Sequence, residues 1–261
     1  MKISEKFNEL KNKKEGALIA YICAGDPTPE ATKEYVTALV RGGADIIELG
    51  LPFSDPVADG PTIQAGIERA LNAGMTPDTY FKTVGSLKVH IPLVVMTYYN
   101  LIFKRGLPKF VKDCAASGIS GIIVPDLPAE ESVELAGFCK KYDIDLIFLV
   151  APTTTESRME RILVRRTGFI YLVARLGVTG ARADIAGSTR ELIERVKTTT
   201  PKAVGFGISN GKQAADIIRA GADGVIVGSA FVDIIANGKD AAGKLEALAK
   251  ELKDGIRAAH G

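Results

Sequence analysis

The stretch Glu30-Ala31-Thr32-Lys33-Glu34-Tyr35-Val36-Thr37-Ala38-Leu39-Val40-Arg41-Gly42-Gly43-Ala44-Asp45-Ile46-Ile47-Glu48-Leu49 contains one full unit of the fold. Tyr35, Val36, Leu39 and Val40 recur at three- and four-residue intervals between charged residues, which predicts a helix over Glu30 to Arg41. Gly42-Gly43 then supplies the residues that close a helix, because glycine accepts the left-handed backbone of a C-cap. Asp45 to Leu49 is a short, nearly continuous apolar run, the mark of a strand covered on both faces.

The same unit repeats outward in both directions. Apolar, β-rich runs occupy Ile19 to Cys23, Asp45 to Leu49, Leu93 to Tyr98, Gly121 to Val124, Asp145 to Val150, Phe169 to Val173, Ala203 to Phe206 and Gly224 to Val227. Helical spacing follows most of them, as in Leu107 to Ser117, Glu130 to Tyr142, Thr189 to Thr199 and Gly211 to Ala220. Eight strand-helix units of about 30 residues predict parallel strands joined by crossover helices, and favour a closed (β/α)8 barrel over an open sheet. Lys2 to Lys13 and Ala241 to Ala259 read as extra helices, the second with Leu245, Leu248, Leu252 and Ile256 on one face. No linker divides the chain, so a single (β/α)8 TIM barrel domain over residues 1–261 is expected.

Composition narrows the function. The 261 residues carry 33 Lys and Arg against 31 Asp and Glu, a balance too even for a protein that binds by neutralising many phosphates of a nucleic acid. The charged N-terminus lacks the apolar core of a signal peptide and no run reaches membrane-spanning length, so a cytoplasmic protein is expected. Cys23, Cys114 and Cys139 are odd in number and far apart, as buried free thiols are, and no ligand cluster points to a metal. With only 2 His and no Trp, acid-base chemistry falls to carboxylates, Lys or Tyr. His90 precedes Ile91-Pro92 at the amino end of a strand, and His260 is next to last.

Barrel active sites lie at the carboxyl ends of the strands. The second strand runs into Glu48-Leu49-Gly50-Leu51-Pro52-Phe53-Ser54-Asp55-Pro56-Val57-Ala58-Asp59-Gly60-Pro61, and alternation puts Glu48 on the face of Ile46. Facing an apolar interior, that carboxyl would be an acid and base of raised pKa; against a Lys or Arg it would be a structural ion pair. Three glycine clusters, Gly177-Val178-Thr179-Gly180, Gly205-Phe206-Gly207-Ile208-Ser209 and Gly228-Ser229-Ala230, follow the last three strands and suit a phosphate held by backbone amides and a helix N-terminus. Gly238 to Lys244 has P-loop spacing, but Leu245 stands where Ser or Thr must hold magnesium.

The run from Glu48 to Gln64, with Gly25-Asp26-Pro27, Tyr98-x-Asn100, Pro125-Asp126-Leu127-Pro128 and the three glycine clusters in order, closely resembles the tryptophan synthase alpha chain family over nearly the whole sequence. The resemblance implies retro-aldol cleavage of indole-3-glycerol phosphate to indole and glyceraldehyde 3-phosphate. It implies Glu48 as the general acid-base, and Asp59 as the carboxylate that holds the indole N–H. Tyr21 and Tyr171 would line the substrate pocket with Phe206, and Thr179, Gly180, Gly207, Gly228 and Ser229 would bind substrate at its phosphate end. Asp55 and Thr179 would bridge two loops on closure, with residues 177–187 as the lid.

The same resemblance implies a beta chain partner in an alpha2beta2 heterotetramer, docked over Pro52, Phe53, Asp55, Pro56, Asn100, Asp126 and Pro128. Pyridoxal phosphate (PLP) would belong to that partner, leaving this chain without a cofactor. The alternatives are a stand-alone lyase releasing free indole, a non-catalytic phosphate-sensing subunit and a different phosphosugar isomerase. Ala174, Cys23 and Tyr99 depart from the common family pattern.

Overall fold

The computed structural model describes residues 1–174, 184–205 and 207–259, leaving aside the side chains of 184–188. Eight strands, β1 (Ala17–Cys23), β2 (Ile46–Gly50), β3 (Leu93–Met96), β4 (Ile119–Ile123), β5 (Asp145–Val150), β6 (Ile170–Val173), β7 (Lys202–Gly205) and β8 (Gly224–Val227), run parallel and close into a barrel, with β8 paired back to β1. The helices are α1 (Ile3–Asn12), α2 (Pro29–Arg41), α3 (Pro61–Asn72), α4 (Pro77–Gly85), α5 (Tyr99–Arg105), α6 (Leu107–Ala116), α7 (Val133–Lys141), α8 (Glu156–Arg165), α9 (Asp184–Arg195), α10 (Gly211–Arg219), α11 (Ser229–Ala236) and α12 (Ala241–Ala258). None of those in the described residues is long and apolar enough to cross a membrane.

Local chemistry sets the helix starts. Thr28 accepts the Ala31 N–H with Pro29 in the first turn, and Asn210 does the same for Gln213 at the head of α10. The strands alternate as barrel strands must. Ile19, Ile46, Val94, Ile123, Ile147, Phe169 and Ile226 fill the interior, while Leu18, Ile47, Leu49, Val95 and Leu146 pack outward under the helices.

The two extra helices do different work. α1 turns Ile3, Phe7 and Leu10 into the amino end of the barrel, where the Phe7 ring lies 5.9 Å from that of Phe169. Gly121 makes room for it: a Cβ there would stand 2.8 Å from Ile3 Cδ1. α12 lies outside against α2 and α10, burying Leu245, Ala249, Leu252 and Ile256. It also buries Lys253, whose Nζ meets Asp45 Oδ2 at 2.8 Å, Glu15 Oε2 at 3.1 Å and the Gly16 carbonyl at 3.0 Å.

Several boundaries differ from the sequence reading. β3 ends at Met96 rather than Tyr98, because the chain turns there into α5, a seven-residue helix that the apolar pattern does not announce. α7 begins at Val133 rather than Glu130, after a turn in which Glu131 N–H donates to the Pro128 carbonyl. α9 spans Asp184–Arg195 rather than Thr189 to Thr199.

Candidate active site

β2 carries Ile46, Glu48 and Gly50 on its inner face, so Glu48 sits one layer above the apolar floor. Tyr21 of β1 and Val94 of β3 are its lateral neighbours in register. The Glu48 side chain is buried, and among the described residues neither carboxyl oxygen has a hydrogen-bond partner. The ion-pair reading of this residue is therefore excluded among the described residues. Burial, and secondarily the negative charge of Asp59, push its pKa up to about 8. At neutral pH it is a carboxylic acid.

Asp59 reaches the same place from the β2–α3 loop. Gly60 is the N-cap of α3 and Pro61 its first residue, and Gln64 Nε2 donates back to the Asp59 carbonyl at 2.7 Å. Burial raises the Asp59 pKa, and a hydrogen bond from Tyr98 opposes that rise. The Tyr98 hydroxyl donates to Asp59 Oδ2 at 2.6 Å and accepts the Ala58 N–H at 3.0 Å.

Both carboxyl groups face one cavity of about 370 Å³ at the carboxyl end of the barrel. Tyr21, Tyr171, Leu149, Ile226, Met96 and Val173 form apolar and aromatic walls, and Gly207, Gly228 and Ser229 line the far side. Gly205 leaves space for a tyrosine, since a Cβ there would stand 2.7 Å from the Tyr171 hydroxyl. Gly207 has φ +69°, a left-handed backbone that glycine adopts without strain, and Ser229 opens α11. Among the described residues no Lys or Arg lines this cavity, so an anion at Gly228-Ser229 would be held by backbone N–H groups and the helix end. Among the described residues, then, no cation offsets the rise in the Glu48 pKa.

The sequence-derived set divides into three groups. Glu48, Asp59, Tyr21, Tyr171, Gly207, Gly228 and Ser229 meet in one cavity; Thr179, Gly180, Phe206 and most of residues 177–187 lie outside the described residues. The expected docking residues do not share one environment. Asp55, Asn100 and Asp126 are exposed, and Pro56 and Pro128 half-buried. Pro52, expected on an exposed Pro-Phe surface, is buried, and Phe53 is half-buried with its ring 5.4 Å from that of Tyr98. Among the described residues, Val57 and Phe103 are exposed apolar side chains at this end, and sequence patterning did not single them out. Tyr98 is the site residue that reading missed. Its motif with Asn100 is visible, but its bond to Asp59 is made by a loop 39 positions away.

His90 is exposed beside β3's amino end, and Cys23, Cys114 and Cys139 are buried free thiols. A wider cleft of about 880 Å³ lies at the opposite face between α1 and the amino ends of β4 and β5. Its rim is tied by the Lys2–Asp143 ion pair at 2.6 Å, and none of its lining residues has a buried polar atom without a partner.

These features match a known group of proteins. The family model described as tryptophan synthase alpha chain matches residues 7–258. The chain is 66% identical to the tryptophan synthase alpha chain of Methanosarcina acetivorans over 259 residues, covering 99% of this chain and 95% of that one. It is 64% identical to that of Methanosarcina barkeri, covering 99% and 98%. Its fold superposes on the crystal structure of tryptophan synthase subunit alpha from Legionella pneumophila with a TM-score of 0.90 at 33% identity, covering 98% of each chain. A buried glutamic acid, without a partner among the described residues, stands above a sealed barrel floor and shares an aromatic cavity with an aspartate, within a match that spans the chain: this chain belongs to the tryptophan synthase alpha chain family.

Proposed function

We propose that Glu48 and Asp59 carry out the family's reaction, the retro-aldol cleavage of indole-3-glycerol phosphate to indole and glyceraldehyde 3-phosphate. Glu48, protonated below about pH 8, gives its proton to the indole carbon that bears the glycerol chain. The ring nitrogen becomes iminium-like, and the Asp59 carboxylate faces that charge. The Glu48 carboxylate then takes the proton of the adjacent glycerol hydroxyl. As the C=O forms, the C–C bond breaks and its electron pair returns to the ring. One proton has been added to carbon and one removed from oxygen, so Glu48 ends as it began.

The single observation that carries this reading is the Glu48 carboxyl, buried with both oxygens unpartnered and facing the cavity that Asp59 shares. Tyr21 and Tyr171 would sandwich the indole, and Gly207, Gly228 and Ser229 would take the phosphate by backbone donors, with Gly180, Phe206 and Thr179 joining from outside the described residues. Thr179 and Asp55 would bridge when the site closes; Asp55 is exposed, and its Oδ2 accepts from Ser54 Oγ at 2.6 Å.

The partner is a PLP-dependent beta chain in an alpha2beta2 assembly, with this chain needing no cofactor of its own. Exposed Asp55, Asn100 and Asp126 beside Val57, 82% exposed, and Phe103, 68% exposed, support docking at this end of the barrel. The test is indole release from indole-3-glycerol phosphate, with and without a beta chain, by wild type and Glu48→Gln. A slow basal rate that accelerates with the beta chain and vanishes in Glu48→Gln is expected. Wild-type rates in Glu48→Gln overturn the role of Glu48, and full turnover without a partner makes the chain a stand-alone lyase.

A further inference from the structure

Among the described residues Glu48 has no hydrogen-bond partner, whereas Asp59 has a strong donor in Tyr98, and that donor is built into the fold more firmly than a surface tyrosine needs to be. Tyr98 is buried between β3 and α5, with its hydroxyl at 2.6 Å from Asp59 Oδ2 and 3.0 Å from the Ala58 nitrogen. Its ring packs on that of Phe53 at 5.4 Å. The next residue is pinned as well: Tyr99 N–H donates to Asp126 Oδ1 at 2.9 Å. The hydroxyl is therefore tied to the β2 loop, and the backbone just after Tyr98 is tied to the β4 loop.

We propose that Tyr98 is a positioning residue for the cleavage, committing one oxygen of Asp59 so that the other is presented to the ring nitrogen, with Phe53 setting where the Tyr98 hydroxyl stands. This rests on the reaction proposed above. An aspartate on a loop, half in solvent, otherwise distributes among rotamers, and one charge-assisted hydrogen bond removes that freedom before substrate arrives. A carboxylate has about four acceptor sites on its two oxygens, so the Tyr98 bond and a bond from the ring N–H coexist. The same donor favours the charged form of Asp59, the form that faces an iminium.

Tyr98→Phe keeps the ring on Phe53 and removes only the hydroxyl. In the full chain kcat is expected to fall by about 10- to 100-fold while KM stays within about threefold, the loss of one hydrogen bond to a charged group. The acid limb of the kcat/KM profile is expected to move to higher pH, because Asp59 loses the donor that favours its charge. In an Asp59→Asn background the same substitution is expected to cost little further activity.

A purely structural tyrosine would lower stability without moving the pH limb, so an unmoved limb overturns the proposal. Equal losses in the wild-type and Asp59→Asn backgrounds, or a raised KM with kcat unchanged, also overturn it. Wild type that releases no indole overturns the assigned reaction and this inference together; an active wild type beside an unimpaired Tyr98→Phe overturns this inference alone.

Discussion

The hydroxyl end of Tyr21 occupies the place where a side chain on Gly50 would stand. A Cβ there would also lie 3.0 Å from Tyr21 Cζ and 3.1 Å from Cε2, so Gly50→Ala forces the ring to tilt into the cavity. The cost of such overpacking is about 1–3 kcal/mol, and a displaced wall raises KM by roughly tenfold. Tyr21→Phe removes the atom in closest conflict. The double variant is therefore expected to recover part of both losses, and a double-mutant cycle in urea denaturation and in KM reads the coupling. Additive losses would show that the two residues do not press on each other.

Glu48 ties both activity and stability to pH, and both decline as pH rises. Its folded-state pKa of about 8 lies above the ordinary glutamate value of 4.5, so between those pH values the unfolded chain has released a proton that the native protein keeps. Stability therefore falls as pH rises through this window, by up to about 5 kcal/mol at pH 8. Glu48→Gln is inactive but escapes this penalty. Its melting temperature relative to wild type is expected to rise steadily from pH 5 to pH 8. Parallel curves for the two proteins would place the Glu48 pKa near its ordinary value.

Asp26 has a fully buried side chain, and Arg69 Nε and Nη2 each bind it at 2.7 Å. Burial still outweighs the arginine and leaves the Asp26 pKa raised. Arg69→Met strands that carboxylate in the protein, at a cost of about 3–5 kcal/mol at pH 7. Since a raised carboxyl pKa makes the penalty grow with pH, chemical denaturation at pH 4 is expected to show a smaller loss than at pH 7. An equal loss at both would mean that packing of the arginine, and not its charge, supports the fold.

Lys253→Met removes the cation shared by Asp45, Glu15 and the Gly16 carbonyl. Asp45 keeps only the Leu18 N–H, at 2.8 Å. A loss of about 3–5 kcal/mol is expected, with kcat and KM unchanged because the cluster lies at the amino end of the strands. Adding Asp45→Asn is expected to restore part of the stability. A changed KM at a temperature where the variant is folded would reveal a connection to the cavity that this geometry does not contain.

The sequence was most legible where one local rule governs a position. Short apolar, β-rich runs located all eight strands, and glycine closing the preceding helix marked several of their starts, because both signals are local in the chain. Glu48 was legible as an inward carboxyl by alternation alone, yet whether a cation answers it depends on every other element around the barrel mouth. The partnership of Tyr98 was hidden because Met96-Thr97-Tyr98 continues an apolar run with no breaker, and its hydroxyl meets a loop distant in sequence. Pro52 reads as exposed only if the whole loop faces outward; the loop instead folds back, burying Pro52 and setting Phe53 on Tyr98. Lys2 to Lys13 was legible as an extra helix, but nothing local says that its Ile3, Phe7 and Leu10 seal the barrel floor.

That seal gives the barrel a direction. Ile3, Phe7 and Leu10 block passage along the barrel axis at the amino end, so the way to Glu48 and Asp59 runs through the carboxyl end, the same end that carries the exposed Val57 and Phe103.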